Sequence, residues 1–259
     1  MIFDSITRKF QFRFKDRVTA ANILGESLKD RIKEDEEQKN ALVLGIPRGG
    51  IITADIVAKR LSSPFFDIVI PRKLSDIDNK EQSIGAVMED GTTYIDQQLV
   101  NDLQIPSEYI EKEKLEQIQE IKRRSQLYRG DSSSISRTSK YNFGSFSSSS
   151  LLKNNRTIVL VDDGAATGAT LIVSAKWVNQ ILLQLQQQQQ ESKSKRLIIA
   201  VPVAPKDTVN LLKRECNAEV EVVTSPFTFY SVSQYYESFE PVADEQVIEI
   251  MKARGLLLS

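Results

Sequence analysis

Apolar residues follow two rhythms along this chain, short unbroken runs and recurrences at spacings of three and four, and the two alternate. Ala21, Leu24, Leu28 and Ile32 keep the second rhythm and predict an amphipathic helix over 17–33. Residues 41–45 form a short apolar run suited to a buried strand, interrupted by Pro47-Arg48-Gly49-Gly50. A helix follows with Ala54, Val57, Ala58 and Leu61 on one stripe, then a second strand over 67–71 that ends in Arg72-Lys73. Residues 75–93 are polar, contain Gly85 and Gly91, and hold no sustained period, which predicts a long loop or a loop with a weak hairpin. Pro106-Ser107 opens a charged helix through about Arg124, with Leu115, Ile118 and Ile121 as its thin apolar side. A third strand over 157–161 leads to a helix over 169–186 that turns Leu171, Ala175, Val178, Leu182 and Leu185 inward. Two more strands, 197–203 and 219–223, flank a short helix over 208–215, and Asp244 is placed to cap a closing helix carrying Val247, Ile248 and Met251.

Short apolar strands alternating with amphipathic helices predict an α/β fold, a central mostly parallel sheet flanked by helices. The whole of 1–259 reads as one domain with two low-complexity stretches inside it. The serine-rich insertion over 131–156 cannot bury enough apolar area to offset the entropy of ordering and is expected to be disordered. The glutamine-rich extension over 186–196 carries no chemistry. In open parallel sheets ligands bind beyond the carboxyl ends of the strands. Unusual residues stand at three such ends: Pro-Arg-Gly-Gly after the first, Arg-Lys after the second, and Asp162-Asp163-Gly164-Ala165-Ala166-Thr167-Gly168-Ala169-Thr170 after the third.

Composition narrows what those ends can do. The chain has 34 Lys and Arg, 35 Asp and Glu, one Cys and no His. Without imidazole there is no Ser-His-Asp or Cys-His nucleophile and no histidine-held metal, and Cys216 alone makes neither a disulfide nor a cysteine-rich zinc site. Carboxylates, Lys, Arg, hydroxyls and backbone amides remain, together with hard cations such as Mg²⁺ that prefer oxygen ligands. A net charge of -1 supplies no attraction to nucleic acid or anionic lipid, and no apolar run approaches the roughly 20 residues that cross a bilayer. The opening MIFDSITRKF lacks the apolar core of a signal peptide, so the expected location is cytoplasmic.

The stretch from Thr157 to Thr170 carries the strongest signal. A buried strand ends in adjacent carboxylates, passes through small residues and enters a helix through Thr-Gly-Ala-Thr. Small residues let successive amides face an anion, the helix terminus adds partial positive charge, and the hydroxyls of Thr167 and Thr170 can donate to the same phosphate. Carboxylates suit sugar hydroxyls a few ångströms away, so the expected ligand is a ribose phosphate. Asp-Asp-Gly alone is a common acidic turn. The full pattern exceeds that, and it contains neither the dinucleotide fingerprint nor the P-loop.

This segment closely resembles the phosphoribosyl pyrophosphate (PRPP) motif of the type I phosphoribosyltransferases. Gly45-Ile46-Pro47-Arg48-Gly49-Gly50 is similar to that family's pyrophosphate loop, and Arg72-Lys73 to the Arg-Lys pair that its orotate and adenine enzymes place near pyrophosphate. Phe14-Lys15-Asp16-Arg17, Ile84-Gly85-Ala86, Tyr128-Arg129-Gly130 and Tyr236-Glu237-Ser238-Phe239 resemble a poorly characterised phosphoribosyltransferase-domain subgroup. The resemblance implies a small hood built from about 1–16 and 224–259, and transfer of a 5-phosphoribosyl group from PRPP to a nitrogen acceptor, a nucleobase, with release of pyrophosphate. It implies that Asp162 and Asp163 hold the ribose hydroxyls and Mg²⁺, directly or through water. Backbone from Ala165 through Ala166, Thr167 and Gly168 to Ala169, with the hydroxyls of Thr167 and Thr170, would take the 5-phosphate, and Gly164 belongs to the same PRPP-binding turn, while Arg48, Gly49 and Gly50, helped by Arg72 and Lys73, would take pyrophosphate. Asp162, Asp163, Arg48 and Lys73 would be the catalytic set, a loop over 75–89 would close over the site, and the family is commonly homodimeric. Ala166 stands where hypoxanthine-guanine enzymes carry an Asp base, which disfavours a 6-oxopurine acceptor. A non-catalytic sensor of PRPP or nucleotide is the alternative, because some relatives use the same pocket only to bind.

Other candidates have plainer readings. Lys122, Arg123, Arg124 and Arg129 share a helix with Glu111, Glu113, Glu116 and Glu120 and read as a solvated face. Trp177 reads as packing. Phe227, Phe229, Tyr230, Tyr235 and Tyr236 read mostly as hood core, with one of them, unassigned, as a candidate to stack on a base.

Overall fold

A computed structural model describes residues 12–130, 157–189 and 195–257. The serine-rich insertion lies outside the described residues, as does the middle of the glutamine-rich extension. Asp16 caps the first helix, its side chain accepting the Thr19 amide at 2.7 Å, and α1 runs Arg17–Arg31. Then come α2 (Asp35–Lys39), β1 (Leu42–Gly45), α3 (Gly49–Arg60) and β2 (Phe66–Ile68). Three short strands follow, β3 (Arg72–Ser75), β4 (Ser83–Val87) and β5 (Thr93–Ile95), before α4 (Gln97–Asp102) and the long α5 (Ser107–Arg129). The remainder is β6 (Thr157–Val161), α6 (Ala169–Gln189), β7 (Arg196–Val203), α7 (Lys206–Glu215), β8 (Glu219–Thr224), a 3-10 turn (Val232–Tyr235) and α8 (Asp244–Ala253).

Five strands form the central sheet in the order β2-β1-β6-β7-β8, every neighbouring pair parallel. Successive side chains of a strand point to opposite faces, and both faces here are covered, which is why the strands read as unbroken apolar runs. Val43, Val159, Val161, Ile198 and Ala200 pack on one side with Leu24 and Leu28 of α1, Ala54 and Val57 of α3, and Val247 and Met251 of α8. Leu42, Leu44, Ile158, Leu160, Ile199 and Val201 pack on the other with Leu171, Ala175 and Val178 of α6 and Leu212 of α7. Trp177 is partly buried against this second cluster, as a packing residue should be. This is the α/β architecture that the alternation predicts.

Several local expectations need correction, each for a physical reason. Residues 75–93 take the hairpin alternative rather than the long loop: they hold β4 and β5, which with β3 make a separate antiparallel sheet. Gly85 and Ala86 hid β4, because strand identity here comes from pairing: a Cβ on Gly85 would run into the Tyr94 carbonyl of β5. Ile84, Ala86 and Val87 are fully buried, so the whole of 75–89 is not a free lid; the exposed residues in it are the turn over 77–81 and Glu89. Arg72-Lys73 does not end β2 but opens β3. Helix α5 continues to Arg129 and buries Ile121, while Leu115 points to solvent with 65% of its surface exposed. The basic residues of α5 are not all solvated either, since Arg129 reaches the Ile68 carbonyl at 2.5 Å and Asp67 at 3.2 Å. The cap of α8 is Ala243, whose amide donates to the Gln246 side chain at 2.9 Å; Asp244 is its first residue and accepts the Tyr128 hydroxyl.

Candidate active site

Beside β1 the strand order reverses, because α3 carries the chain to β2 on one side while β6 pairs on the other. A crevice opens beyond the carboxyl ends of two strands that part in this way. Gly45 of β1 and Val161 of β6 lie opposite each other, and the Ile46 amide bonds the Val161 carbonyl at 2.9 Å. The next residues on either strand, the Pro-Arg-Gly-Gly turn and the Asp162-Asp163 pair, are therefore forced together. A Cβ at position 50 would stand 2.6 Å from Asp162 Oδ1 and 2.8 Å from its Cα. At position 49 it would overlap the Asp163 carboxylate. The two glycines are there because the acidic pair occupies the space of their side chains.

Asp162 sits at the floor of the crevice and uses Oδ1 to accept the Asp163 amide at 2.8 Å. Burial, and next the adjacent Asp163 carboxylate, push its carboxyl well above the usual range, with the Lys73 ammonium opposing them. Asp163 is held by the Arg17 guanidinium, Nε to Oδ2 at 2.7 Å, and its carbonyl accepts the Tyr236 hydroxyl at 2.5 Å. Burial, followed by Asp163, raises the pKa of Tyr236 above the ordinary tyrosine range.

The loop after the pair is pinned from behind. The Ala165 amide donates to the Val203 carbonyl at 2.9 Å, and the Thr208 hydroxyl donates to the Ala166 carbonyl. Gly168 has φ +77, a left-handed conformation that costs glycine nothing, and a Cβ there would approach Thr208 Cγ2 to 3.0 Å. The first bond of α6 runs from the Ile172 amide to the Gly168 carbonyl at 2.9 Å. Among the described residues, the amides over 166–171 have no hydrogen-bond acceptor, and the hydroxyls of Thr167 and Thr170 have no partner. Ala166 and Thr167 face solvent. A row of free amides at the amino end of a long helix is an anion cradle.

The cationic candidates separate. Lys73 is exposed and its charge reaches Asp162, whereas Arg72, next along β3 and on the opposite side, turns to α5 and donates from Nε to Gln117 at 2.9 Å. Burial, then Arg124, pushes the Arg72 guanidinium below its usual range, and Glu120 and Glu113 pull it back. Arg48 is exposed, with Nη1 3.7 Å from Asp244 Oδ1. The structure thus packs Gly49 and Gly50 against Asp162 and Asp163, with the charge of Lys73 reaching the pair and the amides from Ala165 to Thr170 beside it; the Arg48 side chain reaches Asp244 and Arg72 faces Gln117.

Sequence reasoning missed Arg17 and Phe239 as parts of this site, and named Tyr236 only as a hood aromatic, not as a partner of the Asp163 turn. The available signal was the pair of tetrapeptides that begin at Phe14 and Tyr236, because they zip together in space. Phe14 donates to the Tyr235 carbonyl at 2.8 Å, and Glu237 and Ser238 donate to the carbonyls of Phe14 and Lys15 at 2.8 and 3.0 Å. Phe14, Ala20, Val203, Tyr235 and Tyr236 form a small third core, flanked by Phe229, Val232 and Phe239. Val232 leaves no room for a side chain at Gly164, so this cluster lies directly on the acidic turn.

A five-stranded parallel sheet with an acidic turn and an amide-lined helix terminus at its switch point defines an α/β protein of the type I phosphoribosyltransferase fold. The chain belongs to the phosphoribosyl transferase domain family, whose family model matches residues 16–204. Two proteins from strains of Mycobacterium tuberculosis, both named provisionally as phosphoribosyl transferases, are 29% identical over 213 residues, which cover 82% of this chain and 42% of theirs. The chain thus spans less than half the length of those relatives. The crystal structure of the TT1426 protein from Thermus thermophilus is 31% identical and superimposes with a TM-score of 0.63, covering 93% of this chain and 98% of that one. No described helix is long and apolar enough to cross a membrane.

Proposed function

We propose that this chain transfers the 5-phosphoribosyl group of PRPP to a nitrogen acceptor of the nucleobase class, releasing pyrophosphate. The observation that carries the reading is the packing of Gly49-Gly50 directly against Asp162-Asp163, with a row of free amides next in line. A sugar whose hydroxyls meet the carboxylates would extend its 5-phosphate over Thr167 to Thr170 and its pyrophosphate toward Arg48 and Lys73. As the bond from ribose C1 to pyrophosphate lengthens, negative charge builds on the departing group, and Lys73, with Arg48 once it turns from Asp244, would stabilise it. Arg72, held by Gln117, would make no direct contact with the departing group.

Mg²⁺ fits this donor set. Among the described residues no cluster of three or more acidic, Cys or His side chains could hold a metal alone. An adjacent carboxylate pair instead suits a hard cation that keeps waters and arrives on substrate phosphates. Asp162 and the oxygen of Asp163 not taken by Arg17 would hold it, and it would neutralise charge on the pyrophosphate.

The test pairs binding with turnover. The double variant Asp162→Asn, Asp163→Asn should keep the fold and lose PRPP binding by calorimetry; unchanged affinity would sink the assignment. Incubation with PRPP, Mg²⁺ and a panel of nucleobases should release pyrophosphate with one of them. Saturable PRPP binding with no release for any base would favour a sensor.

A further inference from the structure

Resting on the reading of the crevice as a PRPP site, we infer that Arg17 is a positioning residue, which sets the Asp163 carboxylate for ligand and couples it to the carboxyl-terminal segment. Arg17 begins α1, 146 positions from Asp163, yet its guanidinium is fixed on three sides. Nε donates to Asp163 Oδ2 at 2.7 Å, Nη1 donates to the Glu240 carbonyl at 2.6 Å, and the Phe239 ring lies 3.6 Å from Cζ. Only 11% of the Arg17 side chain and 14% of the Asp163 side chain are exposed, so water screens the pair poorly. A planar fork with one nitrogen on a carboxylate, another on a carbonyl and a ring against its face has a single orientation, which lysine cannot reproduce.

Two adjacent carboxylates repel each other, and the Asp163 carboxylate must fill the space above Gly49 rather than swing away from Asp162. Arg17 supplies the counter-charge that makes this possible and commits Oδ2 to itself, leaving Oδ1 for the crevice. Tyr236 reinforces the arrangement through the Asp163 carbonyl, from the same segment that carries Phe239 and Glu240. The far end of the chain thereby fixes the geometry of an acidic turn to which it contributes no carboxylate.

Arg17→Gln, Arg17→Lys and Phe239→Leu should be compared with wild type for PRPP affinity by calorimetry and for thermal unfolding, and Arg17→Gln repeated in an Asp163→Asn background. Losing a partner that orients a ligand-holding carboxylate typically weakens binding about 10- to 100-fold. We expect that loss for Arg17→Gln, incomplete rescue by lysine, a smaller loss for Phe239→Leu, and almost no further loss when Asp163 is already Asn. In turnover the penalty should fall on KM for PRPP rather than on kcat. Lowered thermal stability with full PRPP affinity, or equal losses in both backgrounds, would overturn the inference while leaving the proposed function standing. A wild-type chain that binds no PRPP would overturn both. Should Arg17→Gln fail to fold, the lysine and Phe239 variants decide alone, and undiminished PRPP affinity in both would overturn it.

Discussion

Replacing Gly50 with alanine tests whether the glycine pair exists to admit the acidic turn. The new Cβ would meet Asp162 Oδ1 at 2.6 Å, Asp162 Cα at 2.8 Å and the Val161 carbonyl at 3.1 Å. Two of those three atoms are backbone, so no rotamer relieves the clash, and β6 and α3 must move apart at the crevice. Such overpacking costs about 1–3 kcal/mol, and each kcal/mol lowers Tm by about 2–4 °C in a chain of this size. A thermal melt should therefore fall by about 2–12 °C, and calorimetry should show PRPP binding weakened by at least about tenfold because Asp162 is displaced. Gly91→Ala separates strain from site geometry. Gly91 has φ +90, and a Cβ there would find nothing within 4 Å, so alanine meets only left-handed strain of about 1 kcal/mol and should leave PRPP affinity alone. A Gly50→Ala protein with wild-type Tm and wild-type affinity would refute the steric account.

Two titrating groups give further expectations. Cys216 is 4% exposed and burial pushes its thiol up to about 12, so a thiol reagent at pH 8 should label it only after unfolding. The sign follows from the raised folded value: its contribution to stability is whole below the ordinary thiol range and is lost as pH climbs toward about 12, a loss that Cys216→Ala should remove from an alkaline melt series. Glu120 behaves oppositely, because hydrogen bonds from Arg123 and Arg124 hold it down to about 2 against the opposing effect of burial. Its contribution is present above the ordinary glutamate range and fades as pH falls toward about 2. With Arg123 more than half exposed, solvent screening limits the effect, so Glu120→Gln should cost no more than about 1 kcal/mol in urea unfolding at pH 7. That gap should narrow at pH 3; a gap that widens there would contradict the pairing.

The chain's local patterns were enough for the sheet and its helices, because β1, β6 and β7 are covered on both faces and had to be uninterrupted apolar runs. They were also enough to mark both sides of the crevice, since a Gly-Gly turn and an Asp-Asp turn at strand ends are local features. Tertiary structure decided the rest. Strand β4 exists through its pairing with β3 and β5, and Gly85 and Ala86 carry little local strand signal. Arg72 and Lys73 are neighbours in sequence, yet the two-residue period of a strand sends one toward Gln117 and the other's charge toward Asp162. Asp163 lies 146 positions from Arg17 and 73 from Tyr236, and only packing brings the three together. Short-range periodicity encodes which segments can bury a face, whereas the partner of a buried charge depends on which distant segments meet there, and no local window contains that information.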